Sequence, residues 1–364
     1  MVTVAYGSPF VPVEWLAAHG LQPLWLRPPP RRSDPEADFV AECADRDERR
    51  RLRDLASLVS TRRGVCPLAA ALVDAACCAP ELSAVVLTTS CDQMRYVASL
   101  LEQQPGMPVF VMNVPSTWQT EAARSLYLAE LQRLSRFLVA RGGTSPSLAE
   151  LTRVMVQFDR ARAELRQARN RLSAKAFSAA LIEVREGLGG PGRRTGRAGA
   201  QDGDSARPAP SGGRSPPEVP LALAGGPLPE SDCELFDWIQ QAGGQIVLDA
   251  TEWGERTLPR PFDVARTQRD PLGQLADAYF GAIPDVFRRP HGALYEYLER
   301  ELASRQVRGL IVRRYLWCDL WHAEVAQLRA WSPVPVLDLD AAGNEESGEG
   351  RTRGRIEAFL EMLR

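Results

Sequence analysis

One unit is written twice in this chain. "SCDQMRYVASLLEQQPGMPVF" and "WCDLWHAEVAQLRAWSPVPVL" each carry Cys-Asp at the end of an apolar run, continue with helical periodicity, and close on Pro-Val and another apolar run. Seventeen positions separate Cys91 from Pro108, and seventeen separate Cys318 from Pro335. Cys, Asp, Pro and Val matching at equal spacing mark an internal duplication of one strand–helix–strand module. Two strands joined through a helix form a parallel pair, since an antiparallel pair needs only a tight turn. The duplication therefore predicts an α/β fold with two pseudo-equivalent parallel-sheet domains facing each other across a cleft.

The rest of the chain fills in around these modules. "VTVAYG", "LQPLWL", "LSAVVLTTS" and "PVFVMNVP" read as strands over residues 1–119, with helical pieces between them. One of those pieces is the polar stretch "DPEADFVAECADRDERRRLRDLASLVS". From 120 to 188 the pattern is continuously helical. Leucines and aromatics recur at three- and four-residue spacing in "EAARSLYLAELQRLSRFLVARGG" and "LAELTRVMVQFDRARAELRQARNRL", which predicts a helical subdomain. The heptads are too irregular for a coiled-coil arm. Residues 189–217 hold almost no large apolar side chains and are dense in Gly, Pro, Ser and Arg, so the expectation is a disordered connector. A second α/β unit occupies 218–364, with strands "VPLALAGG", "QIVLDATE", "GLIVRRYLWC" and "VPVLDLD".

Composition excludes several functions. The formal net charge of -2 gives no support to a nucleic-acid surface. Lys175 is the only lysine, so no G-x-x-x-x-G-K phosphate loop exists in the chain. No apolar run approaches the length of a membrane span, and "MVTVAYGSPF" lacks the basic and apolar regions of a leader. The expected setting is cytoplasmic, where seven cysteines point to metal ligation, catalysis or core packing rather than disulfides.

Two of those cysteines, Cys91 and Cys318, end strands in the repeated module, where ligands of open parallel sheets bind. Each also precedes a helix, whose N-terminal dipole favours a thiolate, the form that binds iron or zinc. Cys66, in "RRGVCPLAAAL", stands at a third loop-to-helix junction. Three thiolates from three separate loops can converge at a domain interface. Cys43, Cys77, Cys78 and Cys233 read as core or helix-surface residues.

Several segments now carry a resemblance. "VPVEWLAAHGLQPLWL", the stretch around Cys66, "TTSCDQMRYV" with "PVFVMNVP", "ALAGGPL", "GGQIVLDATEWGERTLP", "LIVRRYLWCD" and "GRTRGRIEAFLEML" occur in this order over both α/β units. Together they resemble the 2-hydroxyacyl-CoA dehydratase D-component family, which includes benzoyl-CoA reductase subunits. The resemblance implies two flavodoxin- or Rossmann-like domains plus helices. It implies a 4Fe-4S cluster held by Cys66, Cys91 and Cys318, with one iron free of protein thiolate. It also implies radical elimination of water: one electron enters the thioester carbonyl of a 2-hydroxyacyl-CoA, the resulting ketyl expels the 2-hydroxyl, and an enoyl-CoA results. The electron would come from a separate ATP-hydrolysing iron–sulfur activator, which suits a chain without its own phosphate loop. A paralogous subunit (heterodimer) or a second copy (homodimer) would complete the enzyme.

The arginine-rich connector has no counterpart in that resemblance. Glu14 and His322 are polar residues near the expected site and receive no catalytic role. Three readings compete with the dehydratase: a benzoyl-CoA reductase-type or double-cubane reductase subunit, a non-catalytic electron-relay or scaffold paralogue, and a zinc protein. The last is disfavoured because zinc ligands come in close pairs in sequence.

Overall fold

The structure is a computed structural model and describes residues 2–27, 66–77, 79, 82–104, 106–187, 218–229, 232–341 and 347–364. The polar stretch of 34–60, Cys43, Cys78 and the 189–217 connector lie outside the described residues.

Two four-stranded sheets form, and every strand pair in both is parallel. The first contains β1 (Thr3–Tyr6), β2 (Gln22–Trp25), β3 (Leu82–Thr88) and β4 (Val109–Met112) in the order β2-β1-β3-β4. The second contains β5 (Val219–Gly225), β6 (Gly244–Thr251), β7 (Gly309–Tyr315) and β8 (Val336–Ala341) in the order β6-β5-β7-β8. The two orders are the same, and they match the flavodoxin-type order through four strands. The duplication seen in the Cys-Asp modules thus extends to whole sheets, as expected.

Position in the sheet follows from side-chain pattern. β7 is buried at every residue and β3 over its last five, as central strands covered on both faces must be. β2 and β4, at the edges of the first sheet, alternate buried and half-buried residues. β1 and β5 both run into a Gly-x-Pro turn, Gly7-Ser8-Pro9 and Gly225-Gly226-Pro227. Gly225 is required there: its φ is +139°, and a Cβ would stand 1.8 Å from the Arg313 carbonyl oxygen of the neighbouring strand.

Three helices, Glu121–Ala140, Leu148–Ala168 and Ala174–Arg185, make up the helical part. Thr120, Ser147 and Ser173 cap them, each accepting from the third backbone N–H of its helix. These helices hold the sheets together. On the first-sheet side, Trp15 Nε1 donates to the Leu131 carbonyl at 2.9 Å and the Tyr127 hydroxyl donates to the Phe10 carbonyl at 2.6 Å. On the other side, Arg169 pairs with Glu255 at 2.7 Å and Arg185 donates to the Trp253 carbonyl at 2.7 Å. One apolar core runs from the first sheet through the helices to residues 275–283 and Tyr315 of the second unit. Separate cores lie on the two faces of the second sheet.

Glu14 is the polar centre of this junction. It is fully buried, accepts from Arg162 Nη1 at 2.5 Å, and accepts from the Tyr279 hydroxyl at 2.7 Å. One carboxylate thereby joins the helix Val13–Ala18, the helical part and the second unit. Its role is structural. His322 is exposed on the helix Asp319–Trp331.

Candidate functional site

β3 and β7 occupy equivalent places, each beside the strand at which its sheet reverses direction of growth. That is where an open α/β sheet binds ligands, beyond the strands' carboxyl ends. Cys91 and Cys318 stand there as the N-cap residues of the helices Asp92–Leu101 and Asp319–Trp331. Both are extended or near-extended in backbone, so the chain leaves the strand, presents the thiol, and then turns into the helix. Cys66 directly precedes the helix Pro67–Cys77. Its backbone N–H donates to Gln93 Oε1 at 3.0 Å, which ties its loop to the first turn after Cys91.

The three thiols come together. Cys66 is buried, Cys91 and Cys318 are half-buried, and all three pack on the same core. They are near enough for charge on one to act on another: Cys66 disfavours ionisation of Cys91, and both disfavour ionisation of Cys318. Glu252, directly after β6, acts on all three. The Glu252 N–H donates to the carbonyls of Gly225 and Gly226 at 3.1 and 3.3 Å, which fixes the main chain of this residue beside β5.

Burial dominates the electrostatics. It pushes the Cys91 thiol up to about 11 and Cys318 up to about 12, and Cys66 upward as well. First-turn N–H groups oppose this at each thiol, yet neither Cys91 nor Cys318 makes a full capping hydrogen bond. The expected thiolate from helix dipoles therefore does not form in the free chain: desolvation outweighs the dipole. Glu252 is pushed up to about 8, first by burial and then by the charge of Asp285, against Arg256 and Arg185. Its surface area is only half-covered, but protein surrounds it closely enough for desolvation to dominate.

Three cysteine thiols are the donor type that iron–sulfur clusters and zinc ions share. Tetrahedral zinc at 2.3 Å from each sulfur requires sulfurs about 3.8 Å apart. Among the described residues no three His, Cys, Asp or Glu side chains gather as ligands for one metal ion. A cluster accepts each thiolate on a different iron, so wider spacing is permitted. Thiols that are neutral in the free chain lose their protons to the metal on binding.

Cys77 lies at the end of its helix, and Cys233 is buried, its thiol 3.6 Å from the Pro229 carbonyl; neither joins the three. Reading the sequence missed Gln93, Glu252 and Arg313. Arg313 is buried, donates to the Pro227 carbonyl at 2.8 Å, pairs with Asp232, and exerts its charge on Cys66. Glu252 had a visible signal: a charged residue at the carboxyl end of the strand "QIVLDATE".

Among the described residues no helix is long and apolar enough to cross a membrane. No curated protein matches the chain. A family profile described as "2-hydroxyglutaryl-CoA dehydratase, D-component" matches residues 9–363, which include every strand of both sheets except β1 and contain Cys66, Cys91 and Cys318. The chain belongs to the 2-hydroxyglutaryl-CoA dehydratase D-component family.

Proposed function

We propose that this chain is the iron–sulfur subunit of a 2-hydroxyacyl-CoA dehydratase, with Cys66, Cys91 and Cys318 as the ligands of one 4Fe-4S cluster. The observation that carries the reading is the convergence of three thiols from three loops at the carboxyl ends of two duplicated sheets. A 4Fe-4S cluster held by Cys66, Cys91 and Cys318 would supply low-potential one-electron chemistry toward an acyl-CoA thioester.

The protein's own residues supply position and dryness. The strand ends and helix starts fix Cys91 and Cys318, and Gln93 fixes the Cys66 loop. The buried setting that makes the free thiols reluctant to ionise also keeps bulk water from a reactive radical. Burial and the charge of Asp285 raise the Glu252 carboxyl to about 8, which favours its neutral form beside the three thiols.

Lys175 is the only lysine and sits in no phosphate loop, which supports ATP hydrolysis by a separate activator. A paralogous subunit or second copy completes the enzyme in this reading. The test is an anaerobic assay with 2-hydroxyacyl-CoAs and aromatic acyl-CoAs, with and without ATP, reductant and activator. Enoyl-CoA formation that requires all three supports the proposal. Formation that is ATP-independent and survives iron removal overturns it. Reduction of an aromatic ring without dehydration reassigns the chain to the reductase branch.

A further inference from the structure

A second buried site lies away from the thiols, where β1, β2 and the helices Leu148–Ala168 and Ala174–Arg185 meet the segment after β6. It is a cavity of about 20 Å³, room for a single small ion or one or two waters. Trp25, Arg162, Arg185, Tyr6 and Tyr279 are among its walls. Trp25 and Arg162 are 1% and 2% exposed.

The polar atoms of these walls are unevenly matched. The Tyr6 hydroxyl donates to the Arg185 carbonyl at 2.9 Å, and the Tyr279 hydroxyl donates to Glu14. Arg162 uses Nη1 on Glu14, but its Nε and Nη2 have no hydrogen-bond partner, and neither has Trp25 Nε1. All three unmatched wall atoms are N–H donors.

Charge is unevenly matched as well. Glu14 neutralises Arg162, and Asp159 stands 3.8 Å from Arg162 Nη2. The Arg185 guanidinium bonds only neutral acceptors: the carbonyls of Trp253 and Gly254, and Thr257 Oγ1. It lies 4.7 Å from the Trp25 ring centroid. Among the described residues no carboxylate forms an ion pair with it; Asp249 and Glu252 act on it only from farther away. A buried cation with no directly bonded counter-charge is costly.

We propose that this cavity binds one small monovalent anion of chloride's size. Water meets the need less well. It brings two hydrogens that need acceptors, while the unmatched wall atoms are all donors, and it gives Arg185 no directly bonded counter-charge. A halide accepts N–H groups from several sides, donates nothing, and neutralises the cation. Since Arg185 also holds the Trp253 carbonyl, one residue from Glu252, an anion here would brace the segment that carries Glu252.

Bromide is the probe. Crystals of the full chain grown in sodium bromide should give an anomalous peak in the cavity at the bromine edge. In solution, thermal melts in sodium chloride and sodium gluconate at equal ionic strength should differ. The melting temperature should rise with chloride and saturate, as for a single site that binds only the folded state. Trp25→Phe keeps the ring and removes one donor, so the chloride-dependent rise should at least halve. An ordered water with no anomalous signal overturns the proposal. So does a chloride response that is absent, or unchanged in Trp25→Phe.

Discussion

Replacing Glu14 with Gln keeps the shape of the junction and removes its one buried negative charge. Glu14 and Arg162 are 0% and 2% exposed and 2.5 Å apart, so solvent cannot take over the role of the lost partner. Breaking a buried pair from one side costs about 3–5 kcal/mol. Asp159 stays 3.8 Å from Arg162, which favours the low end of that range. The Tyr279 hydroxyl exchanges a charged acceptor for a neutral one and adds about 1 kcal/mol. The sum is about 4 kcal/mol, close to a thousandfold in the folding equilibrium, or a fall of about 5 °C in melting temperature for a chain of this length. The assay is thermal melting followed by circular dichroism in chloride-free buffer, so that no halide compensates Arg162. Glu14→Leu combined with Arg162→Met removes both charges and should return to within about 2 kcal/mol of the parent. A Glu14→Gln shift below about 2 °C would refute the view that this pair holds the three parts together.

Asp74, whose carboxyl burial raises to about 6, should weaken the metal-free chain as pH rises. Its folded pKa lies above the unfolded value, so the stabilisation is complete below about pH 4 and lost through pH 6. Asp74→Asn should flatten that stretch of the stability–pH curve and gain up to about 3 kcal/mol at pH 7, measured by urea melts; parallel curves for the two proteins would contradict it. Gly225→Ala should cost about 4 kcal/mol or more, because the new Cβ meets the Arg313 carbonyl at 1.8 Å. Near-parental melting of that variant would show that β5 and β7 do not approach so closely.

The sheets were legible because parallel strands covered on both faces are written as apolar runs, and the repeated Cys-Asp spacing doubled the signal. "GLIVRRY" shows the limit: its two arginines are buried on a central strand. Local pattern cannot foresee this, since their partners, Asp232 and Asp338, are distant in sequence. The strand-end cysteines were legible for the same reason as the sheets. Their acidity was not, because desolvation depends on what the rest of the chain lays over them. Glu14 reads as an ordinary first-turn carboxylate of a helix until Arg162 and Tyr279 arrive from 148 and 265 residues away. Gln93 was invisible because its task is a hydrogen bond to a loop 27 residues earlier.

The central claim is that three named thiols hold one cluster. Its most direct test is iron and acid-labile sulfide per chain after anaerobic reconstitution, for Cys66→Ala, Cys91→Ala, Cys318→Ala and the controls Cys77→Ala and Cys233→Ala. The account predicts about four irons and four sulfides in the parent and both controls, as for a cubane cluster. Each of the other three variants should lose most of both. Full iron and sulfide in Cys66→Ala, Cys91→Ala or Cys318→Ala would remove that residue from the ligand set and contradict the account.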